Sequence, residues 1–195
     1  MVRKAKRRAS NSDKKSKAKI LKSRVTYRAP VFYVTSEIVR EPSGITARRD
    51  IVRHPGSVVV LAVDGSGRNS RVLLAKQFRH AANREMLELP AGRIDPGETA
   101  LQGAKRELME ETGYQARKWS KALHFYVSPG FLDETMTIFL AEDLKAGEAT
   151  PEEDEVIRPT LVPLAKAVDM VMRGKIPDAK TIAGILWYEK KITNP

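Results

Sequence analysis

The residues SVVVLAV (57–63) form an apolar run with one polar residue, at its start. A short run rich in β-branched residues and bounded by turn formers predicts a buried strand. DGSGRNS (64–70) predicts a turn, and RVLLAKQF (71–78) a returning strand. Upstream, VFYVTSEIV (31–39) and ITARRDIV (45–52) predict strands around a Pro-Ser-Gly turn at 42–44. MLELP (86–90) predicts a short strand cut at Pro90. WSKALHFYV (119–127), ETMTIFLA (134–141) and VIRPTLVP (156–163) predict further strands. SPGFLD (128–133) and KAGEATPEEDE (145–155) predict loops, the second acidic and mobile. LAKAVDMVMRG (164–174) and AKTIAGILWYEKK (179–191) have the period of amphipathic helices. Trp187 and Tyr188 on the last of these are read as core and rim. Strands in runs with a few helices inserted predict a mixed sheet flanked by helices, not strict βαβ alternation.

One more helix has both ends written in the sequence. Thr99 and Gln102 make a T-x-x-Q capping box, and Gly113 supplies the stop. Leu101, Ala104, Leu108 and Met109 offer a side that faces the sheet. Gly103 sits inside the helix at a cost of about 1 kcal/mol relative to Ala, which predicts close packing there.

On the same helix, RELMEETG (106–113) puts Glu107, Glu110 and Glu111 at spacings of three and four, on one face. They lie in its C-terminal half, where the helix dipole disfavours acids. A solvated acidic face is the plain reading, but such a face usually mixes signs. Something cationic should offset the cost. Carboxylates without histidine or thiolate suit a hard divalent ion such as Mg²⁺ or Mn²⁺. Mg²⁺ held by few carboxylates completes its shell with water and substrate phosphates, which points to pyrophosphate chemistry.

Composition narrows the rest. The 195 residues are 42% hydrophobic, enough for one domain with short extensions. No cysteine is present, which excludes disulfides, thiolate metal sites and a cysteine nucleophile. His54, His80 and His124 are far apart, so no local histidine cluster exists. The longest apolar run is too short to span a bilayer, and no secretory h-region is present. With neither signal nor cysteine, the expectation is a cytoplasmic protein away from membranes. The net charge is +11, but residues 1–24 carry 11 Lys/Arg against Asp13, leaving the remainder near neutral. The expectation for residues 1–24 is a disordered basic tail. A weak, salt-sensitive nucleic-acid contact through that tail is the sharper reading.

The stretch GRIDPGETALQGAKRELMEETGY (92–114) resembles the Nudix box. Gly92, Glu98, Arg106, Glu107, Leu108, Glu110, Glu111, Gly113 and Tyr114 fill its fixed positions at its fixed spacings. The resemblance implies an α+β protein, an α/β/α sandwich, that hydrolyses a nucleoside diphosphate linked to another moiety with a divalent metal. It implies Glu107 and Glu111 as metal ligands, Glu110 as a catalytic group, the Ala91 carbonyl in the metal shell, and Glu98 with Arg106 as a structural ion pair. ELPAGRID (88–95) and FYVSPGFLDET (125–135) resemble the ADP-ribose pyrophosphatase branch, which places a proline sixteen residues past the last box glycine, here Pro129. QFRH (77–80) resembles the branch's strand end, where an arginine, here Arg79, meets substrate phosphate. PEEDEVIRP (151–159) resembles its distal segment, with Glu153 as base and Glu155 as metal ligand, or Glu152 if the register shifts. Arg49 and the Pro129-Gly130 turn are further substrate-binding candidates. Phe32, Tyr33 and Arg48 could contact base or ribose, but such residues are more often structural. Residues 25–55 would form a strand region exchanged within a homodimer, and 56–195 the hydrolase domain. The reaction so implied turns ADP-ribose into AMP and ribose 5-phosphate. GDP-mannose or another nucleotide sugar is the alternative substrate. A non-catalytic ligand-binding module is the alternative class. Nucleic-acid decapping is weaker still, for the core sequence shows no basic stripe.

Overall fold

The computed structural model describes residues 17–149 and 156–194. They divide into two compact units. One holds the residues up to His54 together with Ser128–Glu134, and the other holds Pro55–Val127 and the chain from Thr135 onward.

The first unit is a three-stranded antiparallel sheet in the order β1 (Lys19–Arg28), β2 (Tyr33–Arg40), β3 (Thr46–Arg53). The predicted turn closes β2 onto β3, with Gly44 at φ +89 donating its N–H to the Glu41 carbonyl at 2.9 Å. Strand β1 corrects the expected tail, because residues 19–24 are paired with β2 from Lys19↔Arg40 onward. All ten residues of β1 are exposed. The strand is therefore held by its backbone ladder rather than by burial, so a hydrophobicity argument could not find it. The 128–134 segment is tied to β3 by paired backbone bonds, Val52 N–H to the Phe131 carbonyl (2.8 Å) and Asp133 N–H to the Val52 carbonyl (3.1 Å). Arg53 donates to Asp133 (2.9 Å) and to buried Glu37 (2.7 Å). Burial pushes the Glu37 carboxyl up, but Arg53, Thr35 and Ser23 together outweigh it and hold the group below its usual range.

The second unit is built on β4 (Ser57–Asp64), whose residues 57–63 are all buried. Strands β5 (Arg71–Arg79), β8 (Tyr114–Tyr126), β9 (Thr135–Ala146) and β10 (Arg158–Pro163) complete the order β10-β5-β4-β9-β8. Short strands β6 (Arg84–Glu88) and β7 (Ala91–Arg93) pair with β5 and β4. The β4–β9 pair is parallel and the others antiparallel, so the sheet is mixed. Alternation along β4 feeds two cores. Val59, Leu61 and Val63 pack with Leu74, Leu140, Leu164 and Ile185, which include residues of α2 (Leu164–Met172) and α3 (Ala179–Thr193). Val58, Val60 and Ala62 pack with Ala104 and Leu108 of α1 (Ala100–Thr112). This gives helices on both faces of one sheet, the α/β/α sandwich expected. Tyr188 is buried in the first core, and Trp187 packs at its margin.

Three strand readings change most. Strand β7 exists where a loop was expected, because Gly92 and its neighbours complete the ladder beside Ser57–Val59. β8 starts at Tyr114 and β9 runs to Ala146, five residues longer at each of these ends than the predicted strands, because the two pair from Tyr114↔Ala146. Their outer residues are mostly polar and exposed, so the ladder sets the length and the apolar pattern does not.

Candidate active site

Helix α1 begins as its sequence dictates. The Gln102 N–H donates to Thr99 Oγ1 (3.3 Å) and the Thr99 N–H to Gln102 Oε1 (2.9 Å), a reciprocal capping box. Gly113 ends it at φ +73, its N–H on the Met109 carbonyl at 2.8 Å. Between these ends, Leu108 and Ala104 anchor one side in the core. The acidic side then faces β7 and the loop after it.

Arg106 organises that side. Its Nε and Nη2 fork onto Glu98 at 2.9 and 3.1 Å, and Nη2 also donates to the Arg93 carbonyl at 3.0 Å. This is the expected structural pair. Its Nη1 goes further, donating to Glu107 at 2.8 Å and to Glu110 at 2.9 Å. One guanidinium thus bridges three carboxylates and supplies the offsetting cation that the three-glutamate face requires. The Arg106 bonds hold the Glu98 carboxyl below its usual range, and the Glu98 bonds in turn raise Arg106.

Glu107 lies against Gly92. A Cβ built on Gly92 would stand 2.0 Å from the Glu107 carboxyl carbon, so any larger residue there would displace this carboxylate. Glu111 is buried, at 5% exposure, and accepts the Ala91 N–H at 3.2 Å. Gly103, in the helix interior, would put a Cβ 3.2 Å from Glu98 Oε2, which accounts for its place as close packing. β7 and α1 therefore bring Ala91, Glu107, Glu110 and Glu111 together. All offer hard oxygen donors, and three glutamates of the box are held by one guanidinium with Glu111 beside them against β7, so the set fits a divalent cation. As the side chains stand, no three acids or histidines among the described residues form a ready-made cation cage.

Arg79 ends β5 and forks onto Glu88 of β6 with two bonds of 3.0 Å. Glu88 is buried and also meets Lys180 of α3, itself buried. Lys180 reaches Asp178 at 3.0 Å, and Asp178 caps α3 by accepting the Thr181 N–H at 3.0 Å. Burial pushes the Glu88 carboxyl up, but Arg79 and Lys180 more than reverse this and hold it low. This network was not anticipated. The only signals for it are a glutamate just before Leu-Pro and a lysine two residues after the Asp cap.

Arg49, Pro129 and Gly130 belong to the first unit. Arg49 pairs with Glu41 at 2.9 Å, and Pro129-Gly130 sits in a turn where Ser128 accepts from Phe131 (3.2 Å) and Leu132 (3.0 Å). Phe32 meets Tyr27 ring to ring at 6.0 Å, Arg28 stands over the Tyr33 ring, and Arg48 pairs with Asp50. Glu152, Glu153 and Glu155 lie outside the described residues.

Residues 53–184 match the family described as NUDIX domain. The chain belongs to the Nudix family. It is 43% identical over 157 residues to an ADP-ribose pyrophosphatase of Bacillus subtilis (strain 168), covering 80% of this chain and 83% of that one. It is 35% identical over 170 residues to an ADP-ribose pyrophosphatase of Mycobacterium tuberculosis, covering 85% and 80%. A crystal structure of an ADP compounds hydrolase superposes with a TM-score of 0.77 at 22% identity, covering 91% of this chain and 95% of that one, and shows that the fold is shared. Among the described residues, no helix is long and apolar enough to cross a membrane.

Proposed function

We propose that this Nudix protein hydrolyses the diphosphate bond of ADP-ribose to AMP and ribose 5-phosphate, using Mg²⁺ or Mn²⁺. The observation that carries the reading is the carboxylate face of α1, with Glu107 seated over Gly92 and Glu111 buried against β7. The two ADP-ribose pyrophosphatases it resembles over four-fifths of its length supply the substrate.

Glu107, Glu111, the Ala91 carbonyl and Glu155 would hold the cation. When bound, such an ion neutralises charge on the diphosphate and makes a bound water more acidic. Arg106 keeps Glu107 and Glu110 aligned and remains tethered to Glu98. On the acidic segment Glu153 would take the proton of the attacking water, and Glu110 would help to orient that water. Water adds to one phosphorus, the bridging P–O bond breaks, and the departing phosphate keeps the bridging oxygen. Arg79 is exposed enough, at 39%, to share its guanidinium between Glu88 and a substrate phosphate. Arg49 and the Pro129-Gly130 turn would contribute to the nucleotide site. The homodimer, with residues 25–55 exchanged, is supported by Ile20, Val25 and Tyr33, exposed apolar residues on one face of the first sheet.

The test is substrate profiling of the full chain with Mg²⁺ or Mn²⁺, on ADP-ribose, GDP-mannose, ADP-glucose, NADH and diadenosine polyphosphates. AMP released chiefly from ADP-ribose is the expected result. Preference for GDP-mannose would keep the chemistry and replace the pocket assignment. A folded protein that binds ADP-ribose without cleaving any of them would be a binding module, and the reading would fail.

A further inference from the structure

The two faces of the first sheet are chemically unlike. Register places Tyr33, Thr35, Glu37 and Val39 on one face, with Ile20 and Val25 beside them; its arginines are engaged, Arg28 over the Tyr33 ring, Arg49 with Glu41, and Arg53 with Glu37 and Asp133. On the other face, Lys19, Lys22 and Arg24 of β1 lie beside Arg40 of β2 and Arg48 of β3. All five are exposed. Asp50 is the only acid on this face within the three strands, and Arg48 pairs with it. Lys19 and Arg40 stand directly opposite each other, a like-charge cross-strand pair that is destabilising by itself. Nothing in β1 is buried, so the core does not explain its residues. The same face carries Tyr27, opposite Val34 and 57% exposed. Residues 1–18, which lead into the Lys19 end, hold eight more Lys/Arg and one acid.

We propose that this basic face is a docking surface for single-stranded nucleic acid, with the cations tracking phosphates and Tyr27 offering a platform for a base. A charged track combined with an aromatic platform is how proteins hold single strands without reading sequence. An anionic bilayer fits less well. It would favour exposed apolar side chains beside the cations, and Ile20 and Val25 point to the opposite face. The assignment is independent of the proposed hydrolysis.

The experiment is fluorescence anisotropy of the full chain with a labelled 20-nucleotide oligo-U RNA, from 50 to 200 mM salt. Lys19, Lys22, Arg24 and Arg40 are changed together to Gln in one variant. Arg3, Lys4, Lys6, Arg7 and Arg8 are changed to Gln in a second. The face variant is expected to bind at least tenfold more weakly. Its log-affinity against log-salt slope should shrink by roughly 2–3, since each lost phosphate contact removes about 0.7. Its melting curve and ADP-ribose hydrolysis should match those of the parent. Should that variant fold poorly, Tyr27→Ala and the Lys19→Gln/Arg40→Gln double change take its place. Each is expected to weaken binding severalfold, and only the second to lower the salt slope. Three results would overturn the proposal: no RNA binding by the parent at 50 mM salt, loss confined to the second variant, or binding to phosphatidylserine vesicles without binding to RNA. A fourth would be a face variant whose assembly changes mass in light scattering while RNA affinity is kept, which assigns the face to a second copy of the chain.

Discussion

Two side-chain environments decide most of what single residues do here. At Gly92 the constraint is space. A methyl group there would overlap the Glu107 carboxylate, so one of the two must move. Gly92→Ala is expected to cut hydrolysis by at least 100-fold, an ångström-scale displacement being enough for that. Far-UV circular dichroism should stay at the parental signal, because the clash is with a side-chain end and not with backbone. At Glu88 the constraint is charge. Its folded pKa lies below the ordinary glutamate value, so its contribution is complete above that value and is lost as pH falls through the folded one. Glu88→Gln should cost about 3 kcal/mol at pH 7, because it leaves buried Lys180 with Asp178 alone and Arg79 without its fork. The gap between parent and variant in urea denaturation should narrow as pH falls through the folded pKa, where protonation removes that charge from the parent too. The variant should raise KM for ADP-ribose more than it lowers kcat, since Arg79 is the group set free. An unchanged KM would separate Arg79 from the substrate.

At the scale of elements, α1 was almost fully legible, because its cap, its stop and its apolar side are all written as local patterns. So were β4 and the outline of the α/β/α sandwich. The elements that escaped are those fixed by a neighbour: β1 by β2, β7 by β4, and the outer ends of β8 and β9 by each other. In each the backbone ladder supplies the energy while side chains stay mostly polar or small, so hydrophobic period carries no signal. The same division holds in the site. Glu107, Glu110 and Glu111 could be placed on one face from spacing. The reach of Arg106 to both Glu107 and Glu110 could not, nor could the Lys180–Glu88–Arg79 chain, which joins α3 to two strands. Gly113 shows how one element conditions the next. It adopts φ +73, and a Cβ there would come within 2.7 Å of the Ala149 N and 2.8 Å of the Gly147 carbonyl oxygen. Gly113→Ala should therefore destabilise by about 1–3 kcal/mol from the left-handed backbone alone. It should also push the start of the acidic segment away from the end of α1. Limited proteolysis cutting faster at 147–156, with activity falling more than stability, would be the signature. Equal and small losses of both would show that the segment tolerates the shift.

For the whole molecule, the division into two units makes linkage testable. Proteins of more than one compact unit often depart from two-state unfolding, so calorimetry can assign a ligand's effect to the part that binds it. The carboxylate face of α1 lies within the unit built on β4. A cation bound there at a hundred times its Kd stabilises the folded state by about 2.7 kcal/mol. For a chain of this size that is a rise of about 5–10 °C in Tm, at roughly 2–4 °C per kcal/mol. Mg²⁺ is expected to move the transition of that unit by this amount. The transition of the β1–β3 sheet, if separate, should move only through the other. Glu111→Gln, which removes one anionic oxygen of a buried carboxylate against β7, should abolish most of the rise and slow hydrolysis even at saturating Mg²⁺. A rise of full size in Glu111→Gln would take that residue out of the cation site. A rise confined to the transition of the β1–β3 sheet would move the site off α1 altogether, because the ion would then be stabilising a unit that contains none of the box glutamates.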